Sequence, residues 1–323
     1  MSTPPFTEAG NIPVNDAQAV VTYGPLVLEV PGRAVELEVK VSAPETGTDL
    51  PIILFSHGHG MANFLSSLRG YGPLVDFWAA HGFVVIQPTH LDSTALGLRE
   101  ADSPEAPLYW RTRASDMRYI LDHLNEIEVA VPGLAGRLDK DRIAVAGHSL
   151  GGNTASLLLG MRVLDPADDT DQDLSDARIK AGVIFAAPGV GNDGHLAPFS
   201  FENYPMTRYV DFSTLTAPAL VVAGDRDLNF NFSNRLGYRS DAYTCSPSPK
   251  SLLTVFGAEH MLGGISGYDA AETSDEDPER IAGIRALAWA YLRSQLYPDD
   301  KAWADAVAAL ESGPDPIGRV ESK

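Results

Sequence analysis

The sequence predicts an α/β fold in a single domain. Short apolar runs recur along the chain and alternate with segments of helical periodicity, the order expected when helices cover a largely parallel sheet. The 323 residues, 44% of them hydrophobic, are enough to bury a substantial core. No internal repeat or Gly/Ser-rich linker divides the chain. We therefore expect one domain over residues 21–311, a loosely ordered segment over 1–20 and a C-terminal tail over 312–323.

The strands are predicted from eight apolar runs. The first two, PLVLEV and VELEVKV, alternate with polar residues on either side of the turn PGRA, which indicates an antiparallel hairpin. The later six are more continuously apolar, as expected of parallel strands that are buried on both faces. In chain order they are PIILFSHG, FVVIQP, RIAVAGHS, AGVIFAAP, ALVVAGDRD and SLLTVFGAEH.

Helices are predicted between and after these strands. Apolar residues at helical spacing mark one helix over residues 117–127 and another over residues 281–292. The second helix has Asp277 as its expected N-cap and Pro278 at its first position. A final amphipathic segment carries Trp303, Val307 and Leu310.

Charge and cysteine content exclude several function classes. Acidic residues outnumber basic ones 43 to 24, and the net charge of -19 repels phosphate backbones and anionic lipids, so neither nucleic acid nor a membrane is an expected partner. No signal peptide or membrane span is readable, and the single cysteine, Cys245, excludes an internal disulfide. We expect a cytoplasmic location, and the oligomeric state stays open.

One stretch, VAGHSLGG, places Ser149 between Gly147 and Gly151 where a strand runs into a helix. This is the G-x-S-x-G pattern of a nucleophile at a strained turn, in which larger side chains two residues away would collide with the backbone. The N-terminus of the following helix would add its partial positive charge. We therefore predict that Ser149 is a nucleophile, the alternative being a structural serine in a tight turn.

A serine nucleophile needs a histidine base that is held by a carboxylate. His260 follows the last apolar run and Asp227 follows the run before it, giving the order Ser, Asp, His. Asp227 is favoured as the acid and His260 as the base. The alternatives left open are Asp193 and Asp225 for the acid, and His90 and His195 for the base.

Two backbone N–H groups should stabilise the oxyanion. We predict that Leu150 supplies one, and that His59, in the loop SHGHGMANF, supplies the other. The two histidines of HGHG could also suggest a metal pair, but no further ligand lies nearby, so we expect neither metal nor cofactor. A compact, mostly apolar substrate pocket is expected to be lined by Met61, Phe64, Phe230 and Met261.

Two further patterns have less specific meanings. The acidic stretch DDTDQDLSD resembles a calcium loop, but Leu174 and Lys180 occupy the positions that need glycine and glutamate, which favours a solvated loop. Aromatic residues are frequent in the loops after the sixth and seventh strands, where they either anchor the loops or line an acyl pocket. They are Phe199, Phe201, Tyr204, Phe230 and Phe232.

Six motifs in order, SHGHG, AAHGFVVIQP, RASDMRYILDHL, RIAVAGHSLGG, GDRD and GAEH, resemble those of an α/β-hydrolase over residues 20–296. More narrowly, they are similar to the branch that holds dienelactone-hydrolase-like proteins, platelet-activating-factor acetylhydrolases, chlorophyllases and cutinase-like polyester hydrolases. The resemblance implies an eight-stranded, mostly parallel sheet with helices on both faces. It also implies hydrolysis of carboxylic esters through an acyl-enzyme.

Three departures from these families narrow the expectation. Ser149 stands where dienelactone hydrolases have cysteine, Asp227 matches the acid position of cutinase-like members, and Asp193 lies nearer to that of acetylhydrolases and chlorophyllases. The tryptophan that clamps aromatic polyesters is missing from FAAPGVG. We expect a serine carboxylesterase acting on small to medium soluble esters. The alternatives are an acyltransferase or amidase with the same triad, a polyester hydrolase, or a catalytically silent binding protein.

Overall fold

The computed structural model describes residues 10–267 and 270–323, and within them the eight predicted apolar runs belong to one nine-stranded sheet. A small three-stranded sheet lies beside it. In chain order the strands are β1 (Val20–Leu28), β2 (Leu37–Pro44), β3 (Leu50–Ser56), β4 (Val84–Pro88), β5 (Leu138–His148), β6 (Arg162–Leu164), β7 (Asp171–Gln172), β8 (Ile179–Phe185), β9 (Val210–Asp211), β10 (Ala219–Gly224), β11 (Lys250–Val255) and β12 (Gly318–Ser322).

The strand order of the large sheet is β1-β2-β4-β3-β5-β8-β10-β11-β12. The hairpin β1–β2 is antiparallel, as its alternating pattern predicts. The six continuously apolar runs form the parallel centre, from β4 to β11. Because these strands are parallel, their carboxyl ends lie along the same edge of the sheet, where ligands of open α/β sheets bind.

Helices cover both faces of the sheet. Their bounds are α1 (Gly72–Ala80), α2 (Trp110–Asp122), α3 (Leu124–Ala130), α4 (Leu150–Leu158), α5 (Pro198–Asn203), α6 (Asp241–Thr244), α7 (Pro278–Leu296) and α8 (Ala302–Ser312). The helix predicted over residues 117–127 is divided at His123 into α2 and α3. Asp277 caps α7 as predicted, its carboxylate accepting from the N–H groups of Glu279 and Arg280.

The core consists of two hydrophobic layers, one on each face. Successive residues of β5 alternate between them, Val145 facing the layer with α2, α3 and α4, and Ala144 facing the layer with α1, α7 and α8. The parallel strands are therefore buried on both sides, which explains why their sequences lack polar alternation. No helix among the described residues is long and apolar enough to cross a bilayer.

The terminal segments differ from the prediction. Gly318–Ser322 form β12, which pairs antiparallel with β11 and adds a ninth strand to the expected eight. Pairing covers the edge of β11, and the segment carries too little apolar alternation to be recognised in the sequence. Part of the segment 1–20 is also held, since Ile12 is buried and Gln18 N–H donates to the carbonyl of Ala80. Residues 1–9 lie outside the described part.

Candidate active site

Ser149 lies in the turn between β5 and α4 with φ 55° and ψ -118°, a strained conformation for a residue with a side chain. A Cβ on Gly147 would overlap the carbonyl of Gly151, and one on Gly151 would overlap the carbonyl of Ser56. Both glycines are therefore required by close backbone approach. The turn has the shape that the G-x-S-x-G pattern predicts, with the serine hydroxyl directed out of it.

His260 and Asp227 complete a chain of hydrogen bonds from this hydroxyl. The Oγ of Ser149 lies 2.9 Å from His260 Nε2, and His260 Nδ1 lies 2.7 Å from Asp227 Oδ2. A carboxylate can only accept, so Nδ1 carries the proton and Nε2 is left to accept the serine O–H. The three residues follow β5, β10 and β11 at the carboxyl edge of the sheet.

The charge of Asp227 is stabilised inside the protein. Its side chain is 1% exposed, and burial alone would raise its pKa. The neighbouring His260 and Arg239 outweigh burial and lower the pKa of Asp227 to about 2. The Arg239 guanidinium, 3.4 Å from Asp227 Oδ2, is itself buried over the ring of Phe232. The sequence around Arg239 did not indicate this role, because Arg239 and its partner Asp227 are separated by a loop and meet only in the folded chain.

The alternative acids and bases lie in other networks. Asp193 pairs with Arg235 at 2.7 Å, and Asp225 accepts from the N–H of Gly257. His90 is buried between Asp116 and Ser56, and the exposed His195 contacts Asn234. Within the described residues, only His260 of these histidines contacts Ser149, and only Asp227 of these acids contacts His260.

The two predicted oxyanion donors flank the serine turn. Leu150 is the first residue of α4, where N–H groups have no acceptor within the helix. In the loop of residues 57–62, the neighbours of His59 are fixed and its own N–H donates to no acceptor in the described part of the chain. The fixing contacts are Gly58 N–H to Tyr71 Oη (2.9 Å), Gly60 O from Arg99 Nη2 (2.6 Å) and Thr94 Oγ1 (2.9 Å), and the N–H groups of Met61 and Ala62 to Glu272 Oε1 (2.7 and 2.9 Å).

His148 connects three loops of the site. Its Nε2 lies 2.8 Å from the carbonyl of His260, which can only accept, so its Nδ1 accepts the O–H of Tyr71 at 2.9 Å. The Tyr71 oxygen in turn accepts from Gly58. Burial, followed by the nearby His260, lowers the pKa of His148 to about 3, so that it stays neutral. The sequence placed His148 in the turn but gave no sign of this role.

A second histidine–carboxylate pair joins the loop of residues 57–62 to Asp92. His59 Nδ1 is 2.8 Å from Asp92 Oδ2, and the other oxygen of Asp92 pairs with the fully buried Arg113. Burial alone would raise the pKa of Asp92, but Arg113 and His59 hold it below its usual range. Arg113 also donates to the carbonyl of His57, which fixes the start of the loop of residues 57–62. No metal-ligand cluster occurs among the described residues.

The predicted pocket residues do not enclose a compact pocket. Met61, Phe64 and Phe230 are 76%, 44% and 69% exposed, and Phe230 lines an open cleft of about 460 Å³ beside His260 that also contains charged and amide side chains. Met261 is 4% exposed and packs in the core, because the turn that directs His260 toward Ser149 places the next residue on its inner side. The cleft is thus more open and more polar than predicted.

Two of the five loop aromatics lie against site residues. Tyr204 meets the ring of His59 edge-on, with ring centres 6.4 Å apart, and packs on Phe232 at 4.8 Å. Phe232 in turn carries the guanidinium of Arg239 at 4.9 Å. Phe199 and Phe201 are about half exposed on α5. Tyr204 and Phe232 therefore border the site. This position is compatible with both interpretations of the loop aromatics, as loop anchors and as the lining of an acyl pocket.

Parts of this sequence are similar to one protein family and to two curated proteins. The model of the Chlorophyllase family matches residues 28–165, less than half of the chain. Platelet-activating factor acetylhydrolase of Cavia porcellus is 27% identical over 155 residues (38% of this chain and 34% of that protein), and the Bos taurus protein of the same name is 30% identical over 145 residues (34% and 32%). The chain thus spans about a third of the length of these curated relatives.

The similarity with the Chlorophyllase family includes the turn at Ser149 and the loop of residues 57–62, whereas Asp227 and His260 lie beyond it. The strand order agrees with such a fold, because a six-stranded parallel centre is extended by the antiparallel hairpin through the pairing of β2 with β4. The chain therefore has an α/β-hydrolase fold and is similar to the Chlorophyllase family and to platelet-activating factor acetylhydrolases.

Proposed function

We propose that the protein is a serine carboxylic ester hydrolase that works through an acyl-enzyme. The observation that carries this proposal is the continuous pair of hydrogen bonds from Ser149 through His260 to Asp227, at 2.9 and 2.7 Å. Hydrogen-bonded nucleophile, base and carboxylate are the arrangement that activates a serine hydroxyl. The matched relatives are named as acetylhydrolases, and the matched family is named Chlorophyllase.

The chemistry has two halves. Ser149 Oγ attacks the ester carbonyl carbon while its proton moves to His260 Nε2, and the carbonyl electron pair moves onto the oxygen. The bond to the alcohol then breaks, and the proton on His260 passes to the leaving oxygen. Water attacks the resulting acyl-enzyme, transfers a proton to His260, and the acid leaves as Ser149 regains its hydrogen.

The oxyanion is assigned to the N–H groups of Leu150 and His59. Rigid donors are effective because they need no reorganisation when charge develops on the oxygen. The contacts of the neighbouring residues Gly58 and Gly60, and the bond from Arg113 to the carbonyl of His57, support such rigidity. The ionised Asp227 stabilises the positive charge that His260 acquires during the same step.

The proposed substrates are small to medium esters in solution. Residues 186–218, between β8 and β10, contain the six-residue α5 and no longer helix, which is too little for a large lid. The net charge of -19 disfavours docking on anionic lipid. The relatives' name, acetylhydrolase, also describes removal of a short acyl group. A cytoplasmic location is part of the proposal, supported by the single cysteine.

The test is labelling with a fluorophosphonate together with the variant Ser149→Ala. We expect the label on the peptide that contains Ser149, and a loss of ester turnover on the order of 10⁴ to 10⁶ in the variant, since the serine supplies the bond-forming oxygen. Thermal unfolding should be unchanged. Ser175→Ala, in an exposed loop, is the control and should behave as wild type. Wild-type turnover by Ser149→Ala, or a label elsewhere, would refute the proposal.

A further inference from the structure

The sheet places two histidine–carboxylate pairs on opposite sides of Ser149. In the strand order β4-β3-β5-β8-β10-β11, Ser149 follows the strand β5. Asp227 and His260 follow β10 and β11 on one side, while His59 and Asp92 come after β3 and β4 on the other. The first pair is assigned to proton transfer under the proposed function. The second pair has no role in that mechanism beyond the backbone N–H of His59.

The side chain of His59 is oriented by a contact to one of its two ring nitrogens. Its Nδ1 donates to Asp92 at 2.8 Å, and Asp92 is fully buried and ionised against Arg113. Its Nε2, on the opposite edge of the ring, has no protein partner among the described residues, and 15% of the side chain is exposed. The charges of Asp92 and Arg113 compensate each other. An imidazole that donates from Nδ1 in this way has its remaining lone pair on Nε2, where it can accept a hydrogen bond.

The direction of the reaction decides which part of the substrate meets His59. The leaving oxygen must receive its proton from His260 Nε2, so the alcohol part lies on the His260 side, where the cleft lined by Phe230 opens. The carbonyl oxygen points to the N–H groups of Leu150 and His59. The acyl chain is then directed to the remaining side, toward the rings of His59 and Tyr204.

We infer that His59 determines acyl specificity by accepting a hydrogen bond, through Nε2, from a hydroxyl group on the acyl chain. This inference rests on the proposed function and names its substrate class as esters of hydroxy acids. An O–H donor satisfies the free lone pair, whereas a plain alkyl chain leaves the imidazole nitrogen without a partner. The ring of Tyr204, edge-on to His59, would limit the acyl chain to one path past the imidazole.

The experiment compares nitrophenyl esters of 2- and 3-hydroxybutanoate with their methoxy counterparts at pH 8. The methoxy group keeps the oxygen but cannot donate. For at least one position, we expect the wild-type kcat/KM of the hydroxy ester to exceed that of the methoxy ester by about tenfold. His59→Leu should reduce this ratio to about one, and His59→Gln, which keeps an acceptor, should retain part of it. His195→Leu, an exposed histidine, is the control and should keep the full ratio.

A ratio near one in the wild type at both positions would overturn the inference, and so would a preference that survives in His59→Leu. Should His59→Leu fail to fold in a thermal unfolding assay, a ratio in His59→Gln equal to or above that of the wild type would also overturn it. Hydrolysis of nitrophenyl butanoate and its loss in Ser149→Ala report on the proposed function separately. If nitrophenyl butanoate is hydrolysed but hydroxy esters are not preferred, the proposed esterase function is retained and only the specificity role of His59 is refuted.

Discussion

The burial of Asp227 and its two partners separate it from the other candidate acids. Its carboxylate holds His260 at 2.7 Å and faces Arg239 at 3.4 Å, whereas Asp193 and Asp225 contact Arg235 and a backbone N–H. Two cationic or hydrogen-bonded partners offset the cost of burying the charge. These surroundings favour Asp227 as the acid, as does its position after the seventh apolar run of the sequence.

Three asparagine variants test this assignment. Asp227→Asn should lower kcat by on the order of 10⁴, because an amide no longer fixes the His260 tautomer or balances its charge. Asp193→Asn and Asp225→Asn should stay within a few-fold of wild type, as each removes a contact away from His260. Steady-state kinetics on one nitrophenyl ester measures all three. A crippled Asp193→Asn beside a nearly normal Asp227→Asn would indicate an acid after β8 instead.

Among the elements, the connection between β8 and β10 carries no large lid. Its helix α5 is too short to close over a substrate, and Phe199 and Phe201 on α5 remain exposed, as does Phe230 in the cleft. Exposed aromatic groups can contact a substrate without enclosing it. An ester bound here therefore gains contacts near the carbonyl and few beyond the rim.

A series of nitrophenyl esters of increasing acyl length checks this consequence. We expect kcat/KM to be highest for short to medium acyl groups and to fall for long ones, because methylene groups beyond the cleft stay in water and add no binding. Activity should also be insensitive to an oil interface. A steady rise to palmitate, or a jump in rate when an emulsion forms, would indicate a lipase.

Buried histidines make the stability of the entire fold sensitive to acid. His57, His90 and His148 are nearly inaccessible to solvent and take part in internal hydrogen bonds. Burial, with Arg113 next for His57 and His90, holds the pKa of each below its usual range. The unfolded chain therefore binds protons below pH 6.5 that the folded chain excludes.

We predict that the free energy of unfolding falls as the pH drops from 6.5 toward 4. For His148, whose folded pKa is about 3, the loss should be about 2 kcal/mol at pH 5. Its stabilising effect is complete above pH 6.5 and declines as the pH approaches the folded value. Urea unfolding at pH 5 and pH 7 measures the difference. The variant His123→Gln, which replaces a partly exposed histidine, is the control and should lose as much free energy of unfolding between the two pH values as the wild type. Equal stability at the two pH values would contradict the prediction.

The sequence predicted those features that depend on local pattern. Apolar runs marked the parallel strands, glycine spacing marked the turn at Ser149, and positions after strands marked Asp227 and His260. It did not predict Arg239, the bonds of His148 or the pair of His59 with Asp92, since each joins segments that meet only in the fold. β12 was missed because its pairing depends on the edge of β11, and Met261 because the direction of a turn residue is set by packing.

The fastening of residues 57–62 by Tyr71, Arg99, Arg113 and Glu272 also bears on how such an enzyme can diversify. These anchors come from distant parts of the chain and bind mainly backbone atoms, so they constrain the position of the loop without using the side chain at 59, which has its own contact to Asp92. Under the proposed function, a substitution at 59 would change what the acyl chain meets while the N–H group beside the reacting carbonyl stays in place. Ester preference can thus drift under selection without loss of the underlying chemistry.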